Sequence, residues 1–392
     1  MKKLLVILLS VLCLFSLTAC NSSNSDIYKE GNVVIKLGGS GPLEGDAAQY
    51  GQAVYNAAKI AVDEINKSDS KIKFDFKMEN DDHDPEKAVS AYATLYDWGM
   101  QVSLFTVTSG PGAAVAKNYD DDKIFALTPS GSAVDLVYSD SKNYEGNFQM
   151  CFTDPNQGKA SAEYIAENFK DAKVAIIYKS DDVYSAGVYN KFIEVASTLG
   201  INIVTEEKQR AFTSETEKDF TTLLAAAKAA GADLIYIPIY YQPASTILQQ
   251  TKDMDYAPKF FGVDGLDGLL DLDGFKKELA EGVYLLTPFA ANAKDEKTSN
   301  FVKAYKEKYN ETPNQFAADA YDAVYAIHQA LNKIGVDENY NYDNLYKDMI
   351  SQFTSMKFDG VTGTGINWST NGEVSKNPIC VVIKDGNYVV VE

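Results

Sequence analysis

Short apolar runs alternate with longer helical patterns along most of this 392-residue chain. The apolar runs are rich in β-branched residues, as buried strands are, and the segments between them repeat apolar residues at the spacing of one helix face. Such alternation is typical of α/β proteins with parallel sheets. The predicted strands are residues 33–39, 72–78, 102–107, 124–127, 173–178, 233–239, 259–263 and 283–286.

Two predicted helices carry a stripe of mostly small apolar side chains. Small residues let a helix approach a sheet closely, so both helices are expected to pack on one. The stripes are Ala47, Gly51, Val54, Ala58, Ala61 and Ile65 in the first helix, and Phe316, Ala320, Val324, Ile327 and Leu331 in the second. Residues 366–391 differ, because turn signals at 370–372 and 384–387 separate short strand runs and predict a β-hairpin tail.

The first twenty residues have the pattern of a lipoprotein leader. Lys2 and Lys3 precede an apolar run, residues 4–17, and Leu-Thr-Ala stands directly before Cys20. A thiol at this place accepts a diacylglyceryl group, so residues 1–19 are expected to be removed and Cys20 to become the lipid-modified N-terminus. A plain secretory signal or an uncleaved anchor helix is the alternative, but the run is short for a membrane span. Residues 20–32 are predicted to be a flexible tether.

The composition is acidic, with 55 Asp and Glu against 36 Lys and Arg. The formal net charge is −19, and loss of Lys2 and Lys3 with the leader makes it −21. Such a surface repels nucleic acid and anionic lipid headgroups. Membrane attachment would therefore depend on the lipid at Cys20, and the rest of the chain has the length of two soluble domains.

Few residues suit catalysis, a metal or a nucleotide. The glycine-rich segment 37–45 follows a predicted strand, but Glu44 stands where a dinucleotide fingerprint needs Gly, and Pro42 lacks an N–H for phosphate. The two histidines have no metal-ligand spacing. The aspartate-rich segment around His83 could bind a cation, but it is expected to be a solvated loop in which Asp84 precedes a helix at Pro85. His328 is expected to be structural. No metal, cofactor or enzymatic activity is predicted.

Two cysteines remain after the leader and the lipid are accounted for. Cys151 and Cys380 both lie in apolar, strand-like runs. They could form a disulfide in an oxidising compartment, or pack as small buried thiols, which is the interpretation we favour.

Hydroxyl-rich loops follow two predicted strands. Ser109 precedes Gly-Pro-Gly at the start of a predicted helix, and Ser130 and Ser132 follow the next strand. The carboxyl ends of parallel strands meet at one sheet edge, where helix N–H groups and hydroxyls suit a small carboxylate. Taken alone, Ser109 would be interpreted as a helix cap.

A carboxylate and two tyrosines also end predicted strands. Asp264 follows the strand at 259–263, and Tyr240 and Tyr241 follow the strand at 233–239. Together they could hold a cationic group in an apolar crevice, whereas Asp264 alone is typical of a turn before Gly265.

Five segments, in this order, resemble the branched-chain amino-acid-binding proteins of ABC transporters. The resemblance covers nearly the whole chain after the leader. The segments are Gly41-Pro42-Leu43-x-Gly45-x-Ala47-x-x-Tyr50-Gly51, Ser109-Gly110-Pro111, Thr128-Pro129-Ser130, Tyr240-Tyr241 and Gly262-x-Asp264-Gly265.

The resemblance implies an α/β, type I periplasmic-binding-protein fold. Such a fold has two Rossmann-like lobes with parallel sheets, joined by three hinge crossings, that close on a ligand. Residues 33–147 and 287–360 would form lobe 1, and residues 148–286 and 361–392 would form lobe 2.

The resemblance also implies roles for individual residues. Ser109 and Ser132 match positions that hold the ligand carboxylate in amino-acid-binding relatives, and Ser130 matches one that offers its backbone to the ammonium. Asp264 matches the acidic residue that pairs with the ammonium, although leucine-type proteins have Glu there. The positions that match pocket walls are Tyr50, Tyr184, Tyr240 or Tyr241, and Phe316.

The implied function is that of a monomeric, lipid-anchored receptor outside the cytoplasm. It would capture a branched-chain or related amino acid and deliver it to ABC permease subunits, without a cofactor, in a bacterium that is expected to be Gram-positive. The alternatives are a sensory receptor that signals to a membrane partner and an enzyme that uses Asp264 with Glu44. The sequence leaves the solute open, and aromatic or polar amino acids remain candidates.

Overall fold

A computed structural model describes residues 27–139 and 142–391. The predicted leader, the lipidation site at Cys20 and residues 20–26 of the predicted tether lie outside these ranges. Two sheets organise the described residues, and each sheet lies between layers of helices.

The strands, in chain order, are β1 (Val33–Gly41), β2 (Ile72–Asn80), β3 (Val102–Thr106), β4 (Phe125–Thr128), β5 (Tyr138–Ser139), β6 (Lys142–Asn143), β7 (Asn147–Gln149), β8 (Val174–Ile176), β9 (Tyr178–Lys179), β10 (Ala211–Phe212), β11 (Leu234–Ile237), β12 (Lys259–Gly262), β13 (Tyr284–Thr287), β14 (Ile379–Lys384) and β15 (Asn387–Val390). The α-helices are α1 (Ala48–Lys67), α2 (Pro85–Trp98), α3 (Ser109–Asp121), α4 (Asp154–Asn168), α5 (Val183–Leu199), α6 (Thr221–Ala229), α7 (Tyr241–Asp253), α8 (Glu296–Tyr309), α9 (Gln315–Ile334) and α10 (Leu345–Phe353).

The first lobe is built on five parallel strands in the order β2-β1-β3-β4-β7. Helices α1, α9 and α10 cover one face of this sheet, and α2 and α3 cover the other. The two predicted small-residue stripes lie on α1 and α9 and meet in one core, where Ala58 and Ala326 are fully buried. Both predicted helices are confirmed, with ends that differ by one to three residues.

The second lobe is built on six strands in the order β15-β14-β13-β12-β11-β8. Strands β8, β11, β12 and β13 are parallel, whereas β14 and β15 form an antiparallel hairpin at the edge. Helices α4 and α5 pack on one face, and α6 and α7 on the other. The predicted hairpin tail is confirmed, while the predicted strand at 173–178 is interrupted, because Tyr178 pairs with β10 instead of continuing in the main sheet.

Two of the expected lobe boundaries lie elsewhere in the structure. The boundary between residues 147 and 148 falls inside β7, which pairs with β4 in the first sheet. Residues 361–376, expected in lobe 2, place Ile366, Trp368 and Val374 in the first-lobe core. Lys376 also forms a buried ion pair with Asp319 of α9. The last passage to the second sheet therefore comes between Lys376 and β14.

Cys151 and Cys380 are both buried, and both are free thiols that form no disulfide. Among the described residues, no helix combines the length and the apolar character that a bilayer span requires.

Candidate ligand-binding cleft

The first-lobe part of the cleft is formed by the loops after β3 and β4, which are parallel neighbours. Ser109 is the first residue of α3, and its Oγ accepts hydrogen bonds from the backbone N–H groups of Ser132 (3.3 Å) and Ala133 (3.2 Å). The N-cap of α3 is Thr108, so the interpretation of Ser109 as the cap is wrong. Ser109 instead holds the two loops together.

Thr128 shapes the loop that carries the other two serines. Its Oγ1 donates to the carbonyl of Thr106 (2.8 Å) and accepts from the N–H of Gly131 (2.8 Å). A Cβ at Gly131 would lie 2.5 Å from Leu136 Cδ2 and 3.0 Å from Thr128 Oγ1, so glycine lets both side chains approach this loop closely. Ser130 and Ser132 are thereby fixed at the cleft, beside the first turn of α3, whose N–H groups have no partner within the helix.

The second lobe contributes Asp264, which begins a short 3₁₀ turn directly after β12 and is 3% exposed. The Tyr184 hydroxyl donates to its Oδ1 (2.6 Å), and the Gln157 amide donates to its Oδ2 (2.6 Å). Burial raises the pKa of Asp264 to about 7, although these two hydrogen bonds oppose the shift. Near neutral pH this carboxyl is poised to ionise when a cation arrives beside it.

Aromatic rings form the remaining walls. The ring centroid of Tyr50 lies 5.2 Å from that of Tyr240 and 4.8 Å from that of Phe316. Tyr184 stacks parallel to Tyr240 with centroids 4.9 Å apart. Tyr50 also crosses the cleft, because its hydroxyl donates to the carbonyl of Gly265 (2.6 Å) and accepts from the N–H of Tyr241 (3.3 Å).

One cavity brings together eight of the nine expected site residues. Tyr241 is the exception, because it packs behind Tyr50 with ring centroids 4.9 Å apart and does not line the cavity. Of the two neighbouring tyrosines, only Tyr240 lines this cavity. The lining residues are Tyr50, Val107, Thr108, Ser109, Ser130, Ser132, Tyr184, Tyr240, Asp264, Gly265 and Phe316.

Gln157 and Asp154 contact residues that line the cavity, and sequence reasoning missed both. Gln157 holds the Asp264 carboxylate, as described above, and is fully buried. Asp154 is 2% exposed, and among the described residues neither of its carboxylate oxygens has a hydrogen-bond partner. Burial holds its pKa well above the usual range, and the nearby Asp264 and Asp182 carboxylates act in the same direction. The sequence feature that could have indicated Asp154 and Gln157 is their spacing of one helical turn in the segment where the chain enters the second lobe.

His83 lies at the cleft mouth and corrects another expectation. It is half-buried rather than solvated, and its imidazole meets the Tyr240 ring edge-on with centroids 5.5 Å apart. The structural role expected for His328 is confirmed, since its Nε2 hydrogen-bonds Ser70 Oγ at 2.8 Å. Within the described ranges, no group of three or more His, Cys, Asp or Glu side chains is arranged to hold a metal ion.

A family model for periplasmic binding proteins matches residues 34–387. The chain belongs to the periplasmic binding protein family. This membership confirms the resemblance stated from the sequence and the expected type I fold of two α/β lobes.

Curated binding proteins of this family are similar over most of their length. The leucine-, isoleucine-, valine-, threonine- and alanine-binding protein of Pseudomonas aeruginosa is 26% identical over 77% of this chain and 79% of its own. The Leu/Ile/Val-binding protein of Escherichia coli is 26% identical over 76% of this chain and 79% of its own. Both are named for the amino acids that they bind, and neither is named as an enzyme.

Solved structures match the arrangement of both lobes. LivJ of Streptococcus pneumoniae, a branched-chain amino-acid transporter binding protein in complex with isoleucine, has a TM-score of 0.79 and 25% identity over 92% of this chain and all of its own. A solute-binding protein of R. palustris in complex with benzoate has a TM-score of 0.80 but 18% identity, over 92% of this chain and 96% of its own, and shows the fold alone.

Proposed function

We propose that this binding protein is the receptor of an ABC importer and captures an amino acid as a zwitterion between its lobes. The observation that carries the proposal is the composition of the cavity between the lobes described above. Hydroxyls and helix N–H groups line it from the first lobe, and the buried Asp264 carboxyl lines it from the second.

Electrostatics favours a zwitterion over a simple acid or amine. A buried charge without a partner is costly, so each end of the ligand needs a group of opposite character. The first turn of α3 with Ser109 and Ser132 suits a carboxylate, and Asp264 suits an ammonium. A benzoate-like acid would satisfy only the first of these groups and would leave the buried Asp264 carboxyl without a cationic partner.

Closure of the lobes follows from where these groups lie. Because the carboxylate and ammonium partners belong to different lobes, a bound amino acid bridges the cleft and stabilises the closed form. A permease could then distinguish the loaded receptor from the empty one. The relatives named for leucine, isoleucine and valine support an aliphatic amino acid as the cargo.

We further propose that the protein is anchored to the membrane by a lipid, as the leader pattern predicts. Cleavage before Cys20 and its lipidation would anchor the receptor on the outer face of the cell membrane, with residues 20–32 as the tether. Mass spectrometry of the membrane fraction tests this, because a diacylglyceryl group on Cys20 is expected and an unmodified N-terminus elsewhere would contradict it.

The experiment that tests the ligand class is thermal unfolding of the purified protein, refolded to remove carried-over ligand. Alanine, valine, leucine, isoleucine and threonine are compared with benzoate and urea. A ligand that binds only the folded form raises the unfolding midpoint by mass action. A rise with at least one zwitterion and none with benzoate is expected. A rise with benzoate or urea alone would overturn the proposal.

A further inference from the structure

Helix α9 of the first lobe begins against the turn that carries Asp264. The side-chain amide of Gln315, the first residue of this helix, donates to the Asp264 carbonyl (3.4 Å), and the Gln315 N–H donates to Asp267 Oδ2 (2.9 Å). Asp319 follows Gln315 by four residues, and side chains at this spacing lie on one helix face. A second carboxylate therefore lies on the face of α9 that meets the ligand-binding turn.

Asp319 is paired with Lys376, and their side chains are only 1% and 2% exposed. A further carboxylate, Asp322, lies one turn along α9 and accepts hydrogen bonds from the N–H groups of Val361 (2.9 Å) and Thr362 (2.8 Å). The Lys376 ammonium favours the charged form of both carboxyls. Two buried carboxylates thus share one buried ammonium beside the Asp264 turn.

Burial favours the uncharged form of the other groups around Asp264. It raises the pKa of each titratable group that faces Asp264 from the surrounding elements. These groups are Tyr50, Cys151, Asp154, Tyr184, Tyr236, Tyr240 and Asp319. Asp319 differs from the others because an ammonium contacts it and favours its ionisation. Among the described residues, its charge has the largest effect on Asp264, whose pKa it raises.

We propose that Asp319, paired with Lys376, is a positioning residue that acts through Asp264 and sets the pH range of ligand capture. Before a ligand arrives, the like charge of Asp319 helps to keep a proton on Asp264, so the empty site buries one negative charge fewer. The ligand ammonium then supplies the opposite charge with which Asp264 ionises. The inference rests on the proposed function and adds to it the residues that control its pH dependence.

Calorimetric titrations at pH 6 and 8 with alanine, valine, leucine, isoleucine and threonine test the inference. Asp319→Asn removes the like charge and leaves Lys376, so the pKa of Asp264 should fall by about one unit. Wild-type affinity should be about tenfold weaker at pH 6 than at pH 8, and this step should shrink to about twofold in the variant. The variant should therefore bind about fivefold more tightly than the wild type at pH 6. Asp319→Asn with Lys376→Met should give an intermediate step, because the ammonium is removed as well.

The pKa of Asp264 is also measured without ligand, by nuclear magnetic resonance of its carboxyl carbon, which is assigned by its loss in Asp264→Asn. The control is Asp120→Asn, which removes a carboxylate that is also 1% exposed and pairs with Lys142 at 2.7 Å within the first lobe. It should lower stability and leave both the Asp264 pKa and the pH step as in the wild type.

An unchanged Asp264 pKa in Asp319→Asn, or an equal change of affinity at both pH values, would overturn the inference. If Asp319→Asn does not fold, the double variant with Lys376→Met takes its place, and its pH step should still be smaller than that of the wild type. Failure of the wild type to bind any amino acid would instead contradict the proposed function, and the carboxyl resonance would still test the effect of Asp319.

Discussion

At the scale of single residues, the ionisation of Asp264 should govern binding. A buried carboxyl with a pKa of about 7 must lose its proton before it can pair with an ammonium. We therefore expect amino-acid affinity at pH 6 to be about tenfold weaker than at pH 8. Asp264→Asn should bind about 30-fold more weakly at pH 8 and lose this pH step. Titrations at both pH values check this, with the exposed Asp69→Asn as control; an unchanged pH step in Asp264→Asn would contradict the assignment.

The same carboxyl should affect stability with the opposite pH preference. Asp264 holds its proton more tightly in the folded chain, where its pKa is about 7, than in the unfolded chain, where it is about 4. Its stabilising contribution is complete below about pH 4 and is lost as the pH rises through about 7. Without ligand, the unfolding free energy of Asp264→Asn is compared with that of the wild type at each pH. The difference should shift in favour of the variant by about 1.4 kcal/mol for each pH unit between pH 5 and 7. Urea unfolding at pH 5, 6, 7 and 8 measures this; a difference that stays constant with pH would show that the pKa is not raised.

At the scale of elements, Gly51 sets how closely α1 approaches the loop after β1. A Cβ at this position would lie 1.9 Å from the Pro42 carbonyl oxygen. Alanine is the better helix former, but the clash should dominate and destabilise the protein by about 1–3 kcal/mol. Gly110→Ala, in the first turn of α3, is the matched control, because no atom lies within 4 Å of its Cβ position. Chemical denaturation should show a loss for the first substitution only, and equal effects would contradict the close approach.

The helices and loops also show which structural features the sequence predicts and which depend on tertiary packing. Periodicity predicted α1 and α9, because each helix buries one long stripe that its own sequence displays. The family resemblance misplaced residues 361–376, because an apolar residue such as Trp368 can be buried in either lobe and only tertiary packing decides. The partial burial of His83 was not predicted, for a related reason. Its aspartate-rich neighbours are typical of a solvated loop, and its burial depends on Tyr240, which the second lobe supplies.

At the scale of the whole molecule, closure involves contacts across the cleft, and Tyr50 makes two of the hydrogen bonds among them. They join it to the Gly265 carbonyl and the Tyr241 N–H. Tyr50→Phe keeps the ring and its packing but removes both bonds, so the open form should gain population. We expect ligand affinity to fall about tenfold, through faster dissociation, and the radius of gyration of the unliganded protein to increase in X-ray scattering.

The matched control for closure is Tyr92→Phe. Its hydroxyl bonds to the Asn118 carbonyl and to Asp122, both within the first lobe. This substitution should lower stability by about 1–2 kcal/mol without changing the radius of gyration or the ligand affinity. If the two variants expanded the molecule equally, a general loosening would explain the result. If neither did and Tyr50→Phe bound normally, the bonds across the cleft would be a consequence of closure and not a cause of it.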